Sequence, residues 1–262
     1  MRALLKSTAV ALPMVLVAAG LAGCAKPQSA VDPTTTGSIA QPLTQQEFEE
    51  AVAYWGQRYD ANQRDRGVSL NYAAALQRTG RTAQAVAVLQ KAAIHFANDR
   101  DVLAAYGKAL AANGDLQKAL DAIRRAQTPD QPDWRLLSAE AAILDQIGQH
   151  EQARALYRQA LDIAPDEPTV LSNYGMSFVL SGDLAEAERL LRQAVAAPGA
   201  DSRVRQNLAL AVGLSGRFAE AERIAAAELS PQQAQANIAY LRKMLVQQDN
   251  WQKLKADSAP TG

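Results

Sequence analysis

Residues 100–133 read RDVLAAYGKALAANGDLQKALDAIRRAQTPDQPD, and residues 168–201 read PTVLSNYGMSFVLSGDLAEAERLLRQAVAAPGAD. Laid over each other without a gap, they share glycine at the eighth position (Gly107, Gly175) and again at Gly114 and Gly182. Alanine also coincides, at Ala119 with Ala187 and at Ala126 with Ala194. Moving outward by the same 34-residue step finds Gly80, Gly148 and Gly216, with Ala85, Ala153 and Ala221 five positions after each glycine. A fixed period of this size marks a chain built from one repeated supersecondary unit.

The period resembles that of tetratricopeptide repeats, whose unit is two antiparallel helices. The fold class is therefore expected to be all-α, a superhelical solenoid of about five repeats at 66–99, 100–133, 134–167, 168–201 and 202–235. Small residues recur at the eighth position (Ala73, Gly107, Ala141, Gly175, Ala209), where the helices of one repeat must approach closely. A second small series, Ala92, Ala126, Ala160 and Ala194, lets each second helix lie against the next repeat. Larger residues fill the space between, with Leu76, Leu110, Leu144 and Phe178 on first helices and Leu89, Ile123, Tyr157 and Leu191 on second ones. The spacing follows the helical period, and no period-two alternation supports strands.

Composition agrees. Apolar residues make up 48% of the 262 but aromatics only 5%, which suits tightly spaced helices packed through alanine and leucine. Lysine plus arginine and aspartate plus glutamate both total 27, so no basic stripe points to nucleic acid. Two histidines and one cysteine cannot build a Cys/His zinc site, and no cofactor is implied.

Thr82, Asp115 and Asp183 follow turn glycines and are expected to cap second helices, while Pro165, Pro198 and Pro231 fall where helices should stop. Ala51 lies 34 residues before Ala85, so 44–65 reads as a lone second helix whose Tyr54, Trp55 and Tyr59 cover the first repeat. At the other end, 232–254 reads as a sealing helix and tail carrying Ile238, Leu241, Leu245 and Trp251, its Lys and Gln residues facing water.

Residues 1–23 have a cationic start (Arg2, Lys6), a short apolar run (9–19) and a small-residue close, the pattern of a signal peptide. The tetrapeptide Leu21-Ala22-Gly23-Cys24 resembles the lipobox of bacterial lipoproteins, which implies cleavage before Cys24 and lipid attachment to it. Ala25 follows where enteric sorting places Asp for inner-membrane retention, so the resemblance implies the outer membrane. Residues 24–43, rich in Pro, Ser, Thr, Gln and Gly, read as a tether with a reach of roughly 20–25 Å.

In tetratricopeptide relatives the first helices line the concave face. By position, Asn71, Asn173 and Asn207 are candidates to bond the backbone of an extended partner, or else are solvated asparagines. The early groove offers Arg78, Lys108, Arg135 and Asp145, and the late groove offers Met176, Val179, Leu180, Leu210 and Leu214. That apolar strip either receives a partner segment or is covered by the C-terminal helix folding back. Catalysis has little support, because His95 and His150 have no acid and nucleophile spaced to share a site and the carboxylates read as solvated charge.

The leader, tether and repeats, together with the stretches YWGQRYDANQRDRGVSLNYAAALQRTG, RRAQTPDQPDWRLLSAEAAILDQIGQ and AELSPQQAQANIAYLRKML, resemble the TadD-type lipoproteins of tight-adherence (Flp-type) pilus assembly. The resemblance implies a non-enzymatic, periplasm-facing scaffold that aids a secretin or another component of the pilus machine. The rival reading is an adaptor lipoprotein recruiting peptidoglycan synthases or hydrolases.

Overall fold

The computed structural model describes residues 44–128, 130 and 132–257, with side chains through 247. The leader, Cys24 and the tether lie outside the described residues. Twelve helices and no strand make up the described part. A lone helix α1 (Gln45–Ala61) precedes five pairs: α2 (Arg66–Arg78) with α3 (Thr82–His95), α4 (Arg100–Ala112) with α5 (Leu116–Ala126), α6 (Trp134–Gln146) with α7 (His150–Ile163), α8 (Pro168–Ser181) with α9 (Leu184–Ala196), and α10 (Ser202–Leu214) with α11 (Phe218–Ala225). The chain ends in α12 (Pro231–Asp257).

The five turn glycines all sit at positive φ, between 74° and 87°, where any side chain is strained. In each turn the residue after the glycine sends its N–H back five residues to the first helix: Arg81 to Leu76, Asp115 to Leu110, Gln149 to Leu144, Asp183 to Phe178 and Arg217 to Val212, at 2.8–3.2 Å. The acceptor residues are the same apolar row that fills each repeat, so turn and core share a register. Leu76, Leu110 and Leu144 are all but fully buried, and each such side chain contributes about 1.5–3 kcal/mol.

The small rows do different work. Gly107 and Gly175 are helical, and a Cβ at either would lie 2.7–2.8 Å from Ile123 or Leu191 on the paired helix. Ala85, Ala119, Ala153, Ala187 and Ala221 are completely buried, as their spacing requires. Neighbouring first helices touch from α2 through α10, whereas among the described residues no second helix touches the next. The stack is therefore tighter on the first-helix side and curves around it.

Two of the three capping expectations are corrected. Thr82 is the first residue inside α3 rather than its cap, and Asp115 accepts from Asn113 Nδ2 at 2.8 Å instead of from the α5 backbone. Asp183 does cap, accepting from the Glu186 N–H. The main acidic caps stand one helix earlier, before every first helix. Asp65, Asp99, Asp133, Glu167 and Asp201 accept N–H bonds from Val68, Val102, Arg135, Thr169 and Val204 at 2.8–3.3 Å. They too recur every 34 residues, and their charge suits the positive helix end.

The ends also differ in detail from expectation. Tyr59 is buried and Trp55 packs on the first repeat, but Tyr54 is exposed, holding Arg58 over its ring at 3.5 Å. Pro231 opens α12 instead of ending a helix. That helix packs on α10 and α11 as α10 packs on α8 and α9, so it occupies the place of a sixth first helix. Ala234 and Ile238 are buried, and Leu241 closes over Gly213. Trp251 falls among the side chains outside the described residues. Where α10 carries buried Leu208 and Ala209, the 34-residue register puts Arg242 and Lys243 on α12, and those charges end the stack. Among the described residues no helix is long and apolar enough to cross a membrane.

Candidate groove on the first-helix face

The same register that stacks the repeats aligns side chains along the inner face. Met176 on α8 and Leu210 on α10 are 34 residues apart, and Met244 on α12 is the next step of that row. Leu180 and Leu214 form a parallel row, and Tyr240 stands one helical turn before Met244. Leu180 is 58% exposed, Tyr240 66% and Met244 49%, while Met176, Leu210 and Leu214 are half-buried. Val179 belongs to the core, packed against the cluster of Leu191, Leu208, Val212 and Ile238. Among the described residues helix α12 touches α10 and α11 but not α8. It extends the apolar strip and leaves the α8 portion uncovered. Tyr240 and Met244 were missed from sequence because 232–254 read as a seal, although the 34-residue step from Leu210 points to Met244.

The paired asparagines tie the stack together. Asn173 Nδ2 donates to Ser138 Oγ at 3.3 Å, and Asn207 Nδ2 donates to Ser172 Oγ at 3.0 Å, each joining one first helix to the previous one. Each amide keeps its carbonyl and a second N–H for other contacts. Asn71 is exposed and makes no side-chain bond among the described residues.

A cavity of about 660 Å³ opens in the early half, between α2, α4 and the start of α6. Leu70, Leu136 and a floor of alanines line it, with Lys108 and Arg135 on its wall. Arg135 stacks over the Trp134 ring at 4.3 Å. Among the described residues Lys108, Arg135 and exposed Arg78 make no ion pair. The carboxylates nearby are already engaged. Arg66 Nε donates to Asp99 at 2.6 Å, Arg66 Nη2 reaches Asp101, and Asp133 caps α6. The Arg66 hydrogen bond holds the Asp99 carboxyl below the usual carboxylate range.

Asp145 is corrected from groove wall to buried anchor. Its side chain is 6% exposed, faces His150 Nδ1 at 2.9 Å and accepts from Ser177 Oγ at 2.8 Å. Tyr157 bonds it as well, and burial first, then this anionic neighbour, pushes the Tyr157 hydroxyl far above its ordinary value. His150 thus has an acid partner, contrary to expectation. The arrangement still lacks a nucleophile facing a base, because fully buried Ser177 donates to the carboxylate and not to the imidazole. Among the described residues no cluster of His, Cys, Asp and Glu could hold a metal ion.

Models described as tetratricopeptide repeat match residues 70–133, 107–168 and 146–211. Among solved structures, the chain is similar to TTC0263, a thermophilic TPR protein of Thermus thermophilus. That match has a TM-score of 0.60 and 21% identity, over 68% of this chain and 98% of that one. It is similar to PilW, a widely conserved type IV pilus biogenesis factor (TM-score 0.59, 16% identity, 76% and 91% covered). It is also similar to PilF of Pseudomonas aeruginosa (TM-score 0.52, 15% identity, 73% and 90% covered). At these identities the likeness establishes a shared fold. No curated protein matches the sequence.

Proposed function

This chain belongs to the tetratricopeptide repeat family, and from that premise we propose that it is a lipid-anchored capture scaffold for pilus assembly at the periplasmic face of the outer membrane. The observation that carries the capture reading is the open row Met176–Leu210–Met244 with Leu180 beside it. A monomer gains nothing by leaving such a strip in water, whereas an apolar partner segment gains about 25 cal/mol per Å² buried. Tetratricopeptide proteins bind protein partners and generally carry out no chemistry of their own, and nothing in the Asp145 cluster requires otherwise.

The pilus reading draws on the resemblance of the chain to TadD-type lipoproteins, and the fold shared with PilW accords with it. In that role Cys24 supplies the anchor, residues 24–43 supply reach, and the groove holds a segment of the secretin or of another machine component. Holding the scaffold at the membrane raises the local concentration of its partner, so a modest groove affinity suffices.

The test is in-cell cross-linking from a photoreactive residue placed at Gln206, which is exposed on α10 beside the strip. Recovery of a secretin or another pilus component supports the reading. Recovery of peptidoglycan synthases or hydrolases overturns it and leaves the fold untouched. For the anchor, Cys24→Ser is expected to release the protein from membranes. Retention of that variant after a salt wash would refute lipid attachment.

A further inference from the structure

Two rows of the first-helix face differ in chemistry between its early and late halves. Helices α2, α4 and α6 contribute Arg78, Lys108 and Arg135, three cations without an ion pair among the described residues. Of the carboxylates nearby, Asp99 and Asp101 share Arg66, Asp133 caps α6, and Asp145 lies in the buried cluster with His150 and Ser177. Stacking on Trp134 leaves the edge of the Arg135 guanidinium open for a carboxylate fork. In the row of Lys108, helices α8, α10 and α12 carry Met176, Leu210 and Met244, and in the row of Arg78, α8 and α10 carry Leu180 and Leu214, whereas the row of Arg135 stays polar through Thr169, Arg203 and Asn237. The chain is neutral overall, with 27 cationic and 27 anionic residues, so this polarity comes from placement and not from composition.

We propose that the groove takes one extended protein segment with two dissimilar halves, an acidic half over Lys108 and Arg135 and an apolar half over the methionine and leucine rows. The assignment rests on the capture reading above and specifies the chemistry of what is captured. Charge complementarity selects the acidic half, and the cavity of about 660 Å³ beside Lys108 gives its side chains room. Neighbouring helix axes lie about 8–10 Å apart, so the four steps from α4 to α12 span roughly 35 Å. An extended chain covers that distance with about ten residues, at about 3.3 Å each.

The experiment measures fluorescence anisotropy of labelled twelve-residue peptides against the full chain held in detergent. The probes are an acidic–apolar peptide, the same composition in the opposite chain direction, the apolar half alone, and a version with lysine for each acid. One direction of the acidic–apolar pair is expected to bind about tenfold tighter than the apolar half or the lysine version, with the advantage shrinking as salt rises. The double variant Lys108→Glu, Arg135→Glu is expected to erase that advantage and to favour the lysine peptide. Both side chains are exposed, so circular dichroism should not change.

Equal binding of the lysine and acidic versions overturns the proposal. So does displacement of the acidic half by phosphatidylglycerol vesicles as complete as that by unlabelled peptide, which would assign the cations to lipid. Tight binding of the apolar half alone, unaffected by charge reversal, overturns the two-part groove while capture stands. Failure of every peptide overturns both.

Discussion

Asn207 on α10 donates its side-chain amide to the hydroxyl of Ser172 on α8 at 3.0 Å, and Asn173 makes the same bond to Ser138 one repeat earlier. A position that faces a ligand in a repeat scaffold is here also a rivet between successive first helices. The two roles separate experimentally. Asn207→Ala and Ser172→Ala should each cost about 1 kcal/mol in urea unfolding, and the double variant should cost little more than either alone. Fully additive losses would show that the bond contributes nothing to the stack.

Two glycines on α8 and at its end predict opposite rescue behaviour. A Cβ at Gly175 would meet Leu191 Cγ at 2.8 Å and the Ala187 carbonyl at 3.1 Å. Gly175→Ala should therefore destabilise by about 1–3 kcal/mol despite the better helix propensity of alanine. Trimming the neighbour in Gly175→Ala, Leu191→Ala should recover part of the overpacking loss relative to Leu191→Ala alone. Gly182 has open space around its Cβ position but sits at φ +83°, so Gly182→Ala should cost about 1–2 kcal/mol through the backbone. No trimming of a neighbour should restore it. Thermal unfolding of these variants decides, and rescue of Gly182→Ala by Leu191→Ala would contradict the distinction.

The acidic caps predict a direction with pH. Asp99 caps α4 and accepts from Arg66, which lowers its pKa in the folded chain. A depressed folded pKa contributes stability that is complete above the unfolded value, about 3.9, and is lost as pH falls through the folded one. The transition temperature of the native protein should drop below about pH 5. Arg66→Ala should flatten that drop, because its Asp99 titrates closer to the unfolded value. A pH profile of Arg66→Ala parallel to that of the native protein would remove the ion pair from the account.

What could be read from sequence was whatever a position tolerates in only one or two residue types. The turn glycines need positive φ, and Ala85, Ala119, Ala153, Ala187 and Ala221 have no room for more than a methyl group. The caps Asp65, Asp99, Asp133, Glu167 and Asp201 carry the same period. They are less legible because they stand before first helices, far from the turn glycines that mark each repeat, and Glu replaces Asp at 167. Asp145 was illegible for another reason. Its partners stand 5, 12 and 32 residues away, at His150, Tyr157 and Ser177, and only the stacking of repeats brings them together. Helix α12 runs unbroken from Pro231 to Asp257 because the stretch contains neither glycine nor a further proline.

The apolar strip gives the prediction that bears most directly on function. Leu180 is 58% exposed, and Leu214 is half-buried on the neighbouring first helix. Burying one leucine under a partner is worth about 1.5–3 kcal/mol, or ten- to a hundredfold in affinity. Leu180→Glu with Leu214→Glu should therefore weaken partner capture by at least that factor while the helical circular dichroism signal persists. Val179 provides the contrast, because it packs on the cluster of Leu191, Val212 and Ile238. Val179→Glu would put a charge against that cluster and should lower the unfolding temperature sharply. If the double leucine variant unfolds as Val179→Glu does, the leucines are core and the groove has no apolar half. If it stays folded and still binds its partner at full strength, capture occurs on another face.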